Sequence, residues 1–255
     1  MKGLIVAVLL GLMVFAGCGT HNKLSMKQVD FARGGFVDEE TAERLRNELT
    51  DGDIAKLLDA NVKVNLPTSI ALARLESPYG QQFHLADISA DEMERWNETV
   101  EEMDQFTGIS PVTSLSMNQP NGSVTMKQLR QAAAQMQCEL LLAYVKTDSS
   151  VDNYNDAAAL YWTGVGLFLV PGNVYEHRTV MQAALVDVRT GMILGTASGD
   201  SHKKRTYPAA FKQIQADKLS RETPDEALTD LQAGARGVLQ RLHRQALASR
   251  RPAEE

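Results

Sequence analysis

Apolar and polar positions along this chain fall into two rhythms, one helical and one extended, and they alternate. Over residues 38–60, Leu45, Leu49, Ile54, Leu57 and Leu58 recur at helical spacing, with a break expected at Asp51-Gly52. After Leu66-Pro67-Thr68, the stretch SIALARLE sets Ile70, Leu72 and Leu75 against smaller residues and predicts a strand. Ser89 and Glu92 have capping-box spacing, and Met93, Trp96, Val100, Met103 and Phe106 follow at helical intervals. VTSLSM (112–117) reads as a second strand. Thr125 and Gln128 repeat the capping-box spacing ahead of Met126, Leu129, Ala133 and Met136. ELLLAYVKT (139–147) reads as an apolar strand through Leu140 to Val145, suited to the sheet interior. TVMQAALVDV (179–188) and MILGTASGD (192–200) predict two more strands, joined by Arg189-Thr190-Gly191 in a tight hairpin. Thr223-Pro224-Asp225-Glu226 has the order of a helix start: cap, proline in the first turn, then acids. Leu228, Leu231, Ala235, Val238 and Leu242 give that helix one apolar face.

The simplest packing of this order is an α/β fold, a single mixed sheet flanked by helices, with a C-terminal antiparallel hairpin and a long terminal helix. Residues 37–248 are expected to form one such domain, followed by a polar tail at 249–255. No fixed-period repeat or low-complexity block interrupts it.

Residues 1–17 are different. One lysine is followed by an apolar stretch (4–15) and small residues, the layout of a secretory leader. That stretch is too short to span a bilayer comfortably. Phe15-Ala16-Gly17-Cys18 resembles the lipobox of bacterial lipoproteins, in which the cysteine is acylated and becomes the new N-terminus; Phe15 stands where that family usually has Leu. The resemblance implies lipid attachment at Cys18, with 18–36 as a polar, glycine-containing tether. Gly19, where an Asp would act as a retention signal, implies by the same resemblance an outer-membrane address facing the periplasm.

A second apolar run, AAALYWTGVGLFLVPGN (157–173), contains Thr163, Gly164, Gly166 and Pro171 and is too short and too broken for a spanning helix. It is expected to pack on the sheet as a short helix or an extended excursion. The alternative is an exposed contact with a partner or a membrane surface through Tyr161, Trp162 and Phe168, since Tyr and Trp suit a half-wet boundary.

Composition narrows the function. The chain is 44% hydrophobic and 23% charged, with a formal net charge of -6. Loss of Lys2 with the leader leaves 25 basic against 32 acidic residues. Such a chain lacks the cationic surface that non-specific nucleic-acid binding needs. Its only basic concentration is Arg236, Arg241, Arg244, Arg250 and Arg251, which reads as a solvated helix face. With Cys18 acylated, only Cys138 is left, between a helix and a strand pattern, and it reads as a buried, inert thiol.

Candidate chemistry is sparse. His21, His84, His177, His202 and His243 show no zinc-type spacing, and no metal or cofactor is expected. There is no Gly-x-Ser-x-Gly elbow and no phosphate-cradling glycine loop. His202-Lys203-Lys204-Arg205 reads as a polar strand end, and Asp187 as a turn residue holding its own backbone.

LYWTGVGLFLVPGN (160–173) and RTVMQAALVDVRTGMILGTASG (178–199) resemble the rhombotarget lipoproteins. The match is carried by Tyr161, Trp162, Thr163, Val165, Gly166, Val170, Pro171 and Gly172, then by Ala183, Ala184, Val186 and Asp187. NLPTSIALARLESP (65–78) is similar to that family's first strand. More loosely, the strand order and the turn at Asp187, Thr190 and Gly191 resemble the curli-assembly and TolB-N-terminal group of periplasmic folds. Neither resemblance brings a catalytic constellation. The expectation is a lipid-anchored, non-catalytic envelope module that meets the membrane through its N-terminal lipid and binds an envelope protein. An oligomeric export or assembly subunit, and a hydrolase with a dispersed site, stand as alternatives.

Overall fold

A computed structural model of the chain describes Gly52 and residues 64–76, 83–117, 123–163 and 166–250. The leader, Cys18, the tether, the turn at Ser77-Pro78-Tyr79-Gly80 and, apart from Gly52, the helix read over 38–60 lie outside the described residues.

The strands are β1 (Thr68–Glu76), β2 (His84–Ala86), β3 (Phe106–Pro111), β4 (Leu140–Tyr154), β5 (Asn173–Asp187) and β6 (Ile193–Tyr207). The helices are α1 (Ala90–Glu101), α2 (Met126–Gln135), the short α3 (Gly166–Leu169) and α4 (Lys212–Arg250). The strands form one mixed sheet in the order β2-β1-β4-β5-β6, with β3 also on β1. β1 runs parallel to β3 and to β4, in the register Ile70↔Leu140, Leu72↔Leu142 and Arg74↔Tyr144, and antiparallel to β2. The mixed α/β architecture, the hairpin and the long terminal helix are as the pattern predicted.

Local chemistry explains the elements. Ser89 caps α1, its hydroxyl accepting the Glu92 N–H at 3.2 Å. Thr125 and Gln128 close both arms of a capping box on α2. In the β5–β6 hairpin, Asp187 takes the Thr190 N–H at 2.7 Å, and Gly191 sits at φ 78°, where a side chain would be strained.

Three elements differ from the sequence reading. The strand expected at 112–117 lies upstream, as β3; Thr113 and Ser116 instead close a 3-10 turn on themselves. Phe106, which fits the helix stripe, belongs to that strand. Helix α4 begins at Lys212, so Thr223-Pro224 lies inside it. Thr223 caps nothing: its hydroxyl donates to Leu219 O at 2.9 Å, one turn back. Lastly, β4, β5 and β6 are each 15 residues long, and their polar ends were not foreseen.

Contacts divide the described chain into two compact units. One holds the residues up to 147 together with 180–200 and 227 onward; the other holds 148–179 and 201–226. The long strands and α4 contribute residues to both. In the first unit the sheet is covered on two faces. Ile70, Leu72, Leu140, Leu142, Met181 and Leu185 meet Trp96 and Val100 of α1 and Leu228, Leu231, Val238 and Leu239 of α4. Ala71, Leu75, Leu141, Val145 and Val186 meet Met126, Leu129 and Ala133 of α2. Cys138 is buried in this second layer, its Sγ 3.3 Å from Ser69 Oγ. A Cβ built on Gly199 would overlap the carbonyl oxygen of Ala227, so glycine is what lets α4 lie close against β6.

Candidate functional site

The second unit is built on the opposite principle. Its buried residues are Asn173, His177, Thr179, Ser201 and Thr223, against only Tyr207 and Leu219 among the large apolar ones. Polar side chains therefore dominate its interior, and all of them but the Asn173 Oδ1 find a partner there. Strands β5 and β6 deliver them by alternation: His177 and Thr179 on β5, and Ser201, Lys203 and Arg205 on β6, reach Thr223, Glu226 and Glu222 at the start of α4.

One chain of contacts crosses this interior. The Thr179 hydroxyl donates to Asp148 Oδ1 at 2.6 Å and lies 3.1 Å from the Thr223 hydroxyl, which in turn is 2.6 Å from His177 Nδ1. With Thr179 giving its proton to Asp148 and Thr223 giving its own to Leu219 O, the His177 Nδ1–H is the donor that Thr223 can still accept. A carboxylate and an imidazole thus flank two fully buried hydroxyls that touch each other without a proton between them. Neither hydroxyl is open to a substrate, so the chain joins β4, β5 and α4 rather than presenting a nucleophile.

Ion pairs surround it. Lys203 reaches Glu226 at 2.7 Å and Glu222 at 3.3 Å, and Arg205 holds Glu222 at 2.9 Å. The hydrogen bond from Lys203 holds the Glu226 carboxyl below the usual range, and Glu226 in turn raises the Lys203 ammonium. Ser201 donates to Glu226 at 2.8 Å. Desolvation pushes the Glu222 carboxyl up, but Lys203, Arg205 and Lys218 together outweigh it and leave it lowered. On the strands, Glu176 pairs with Lys204 at 2.8 Å, and that bond lowers its carboxyl. Burial raises the Tyr207 phenol, with the Asp152 carboxylate adding to the effect. His202-Lys203-Lys204-Arg205 is a polar strand end, matched by acids on both sides.

The apolar run lies in this same unit, as a loop closed at its neck. Asn155 holds the closure: its Nδ2 donates to Pro171 O at 2.8 Å, its backbone N–H to Gly172 O at 2.8 Å, and its Oδ1 accepts the Ala157 N–H at 3.0 Å. The Tyr161 hydroxyl accepts the Gly172 N–H at 2.8 Å, and Gly172 packs so tightly under Ala158 that a Cβ would collide with it. Between the neck residues run a 3-10 segment (Asp156–Thr163) and α3. α3 packs against that segment and against the 3-10 turn Ala209–Phe211. The large apolar side chains described along the loop stay open rather than entering the sheet. Phe168 is 61% exposed and Leu169 74%, with Leu160 and Leu167 also open. Packing on the sheet was the expected arrangement; here the backbone satisfies itself at the neck and the apolar side chains face out. Of the ten large apolar residues that are exposed among the described residues, seven belong to this unit: Tyr154, Leu160, Leu167, Phe168, Leu169, Phe211 and Ile214. The clustering marks a surface rather than scattered exposure.

Of the residues singled out in the sequence, Tyr161 is at the neck and Phe168 at the open face. The side chain of Trp162 and all of Cys18 lie outside the described residues. Sequence reasoning missed Phe211 and Ile214, which precede the expected start of α4, and the His177–Thr223–Thr179–Asp148 chain, whose members are spread over 76 positions. Among the described residues no three His, Cys, Asp or Glu side chains are grouped to hold a metal ion, and no helix is long and apolar enough to cross a membrane.

A family model for the YafT bacterial lipoproteins matches residues 42–223, more than half of the chain. The chain belongs to that family. Membership makes it a bacterial lipoprotein. The sequence resemblance was drawn to the rhombotarget lipoproteins, and what the two have in common is the lipoprotein character. No curated protein matches the sequence. Among solved structures, the chain is similar to the C-terminal domain of LpoB from Salmonella enterica, at 12% identity and TM-score 0.32, covering 59% of this chain and 93% of that one. It is likewise similar to lipoprotein GNA1162 from Neisseria meningitidis, at 14% identity and TM-score 0.32, covering 61% of this chain and 97% of that one.

Proposed function

We propose that this lipoprotein is a non-catalytic binding or assembly module of the cell envelope, moored through acylated Cys18 to the outer membrane and facing the periplasm. The observation that carries the reading is Cys18 itself, placed behind a leader and a lipobox in a chain of a lipoprotein family. Two features of the body support it. The buried hydroxyls and imidazole are used on one another and on the carboxylates at their edge, which suits a scaffold. The exposed apolar side chains are gathered on one loop and the turn beside it, which suits a contact surface.

The test is the fate of Cys18 in the producing cell. Mass spectrometry of the native protein is expected to find a chain that begins at Cys18 and carries acyl groups. Cys18→Ser is expected to keep its leader and lose membrane retention of the mature form. A native chain with a bare Cys18, or with residues 1–17 still attached, overturns the reading. Non-catalysis is tested separately: purified protein is expected to show no turnover on esterase, peptidase and glycosidase substrate panels, and turnover that is lost in His177→Gln would refute it.

A further inference from the structure

We propose that the exposed side chains of Leu160, Leu167, Phe168 and Leu169, with the adjoining Phe211 and Ile214, lie on the lipid bilayer, as a second membrane contact besides the acyl anchor. The inference rests on the reading that Cys18 is lipidated, and it names the partner of the exposed apolar face.

Three observations point to lipid. First, residues 157–173 are seventeen consecutive positions without Asp, Glu, Lys or Arg, in a chain that is 23% charged. Contact with an acyl layer therefore buries no charge, the step that would otherwise oppose it. Second, the polar groups able to specify a protein partner are turned inward. The Asn155 amide and the Tyr161 hydroxyl are spent on closing the neck. What faces out is aliphatic and aromatic surface from Leu160, Leu167, Phe168 and Leu169, joined by Phe211. A bilayer boundary asks for apolar area alone, whereas a protein interface of ordinary size also needs about ten hydrogen bonds. Third, a bilayer is always within reach of a lipid-anchored chain, and a single additional weak contact then acts as an intramolecular one. The loop is too short to cross and does not need to: side chains at the tip enter only the headgroup–acyl boundary, with the half-exposed Lys212 next to Phe211 left at the wet side.

The test uses the full, lipidated protein in phosphatidylethanolamine–phosphatidylglycerol vesicles with brominated acyl chains. The chain has two tryptophans, and Trp96 is fully buried. In the double variant Trp162→Phe, Phe168→Trp, the reporter at 168 is therefore the only tryptophan at the surface. Its emission is expected to shift blue and to fall by about half on brominated lipid relative to plain lipid, as for a side chain at interfacial depth. Adding Leu167→Asp and Leu169→Asp is expected to abolish that quenching while the protein still floats with the vesicles. Protein that floats while its reporter stays unquenched overturns the inference and leaves the anchor standing. Protein that does not float overturns the anchor and the inference together. A reporter unquenched on lipid but shielded from acrylamide once envelope proteins are added overturns it in favour of a protein partner. Unchanged near-ultraviolet circular dichroism confirms that each variant is folded.

Discussion

Helix α4 rests on the same three strands through two unlike surfaces. From Ala227 onward it meets Met181, Leu185 and the glycines of β6 with Leu228, Leu231, Val238 and Leu239. Before that, Thr223, Glu222 and Glu226 meet His177, Thr179, Ser201, Lys203 and Arg205. The first surface is held by area removed from water, which is non-directional and tolerant of exact angles. The second is held by hydrogen bonds and ion pairs, each of which adds little net stability when made and costs much when half-broken. The apolar surface thus supplies strength, and the polar one supplies a fixed geometry.

The comparison can be broken most forcefully in the apolar region. Leu231 is fully buried, so Leu231→Ala is expected to destabilise the protein by about 2–5 kcal/mol in urea unfolding. A loss below 1 kcal/mol would mean that α4 is not held by this contact. In the polar region, Thr223→Val keeps the shape but removes the hydroxyl that His177 and Thr179 both face; a loss of about 1–3 kcal/mol is expected by the same measurement. The apolar unit holds one polar network of its own, in which Tyr144 donates to Glu92 at 2.7 Å and Arg74 holds the other carboxylate oxygen at 3.0 Å. Burial keeps that phenol protonated, with the Glu92 carboxylate helping, so Tyr144→Phe removes a donor to a charged group and is expected to cost about 1–2 kcal/mol.

Acid separates the two regions by a different route. The carboxyls of Glu176, Glu222 and Glu226 are lowered from the ordinary 4.5, so the unfolded chain takes up their protons first as pH falls. Their contribution is full above that value and is lost as pH drops through the folded ones. The melting temperature is expected to decline below about pH 4.5, and less steeply in Glu222→Gln, Glu226→Gln. An unchanged slope would show that these pairs contribute nothing. The smallest effect is expected for Lys203→Met, because its ion pairs are partly solvated; a drop in melting temperature at about pH 7 smaller than for Tyr144→Phe, fading below about pH 4.5 as its acid partners protonate, is the outcome.

The same contrast explains what could be read from the chain. The apolar strand portions at 139–147 and 179–188, the capping residues Ser89 and Thr125, and the Asp187–Gly191 turn all announce themselves within a few neighbours. The ends at 148–154 and 201–207 do not, because alternating Asp, Ser, Lys and Arg look the same whether they face water or a polar helix. Proline favours a helix start, so Thr223-Pro224 hides the eleven residues of α4 that precede it, Ile214 among them, and the 3-10 turn that ends at Phe211. The apolar run at 157–173 was visible, but its direction was not: an outward face is decided by Asn155 and Gly172 closing the neck, which is a meeting of residues 17 positions apart.

Local pattern was enough to give the class of fold, the apolar half of the sheet with its helices, and the lipobox-like cysteine at which lipid attachment is proposed. These follow from periodicity and from short motifs, which are local. It took the folded chain to bring buried His177, Thr179 and Thr223 together with Asp148 at the surface, and to set Leu160, Phe168 and Phe211 on one open surface. Hydrogen bonds depend on distance and angle between segments far apart in the chain, and no spacing along it encodes them.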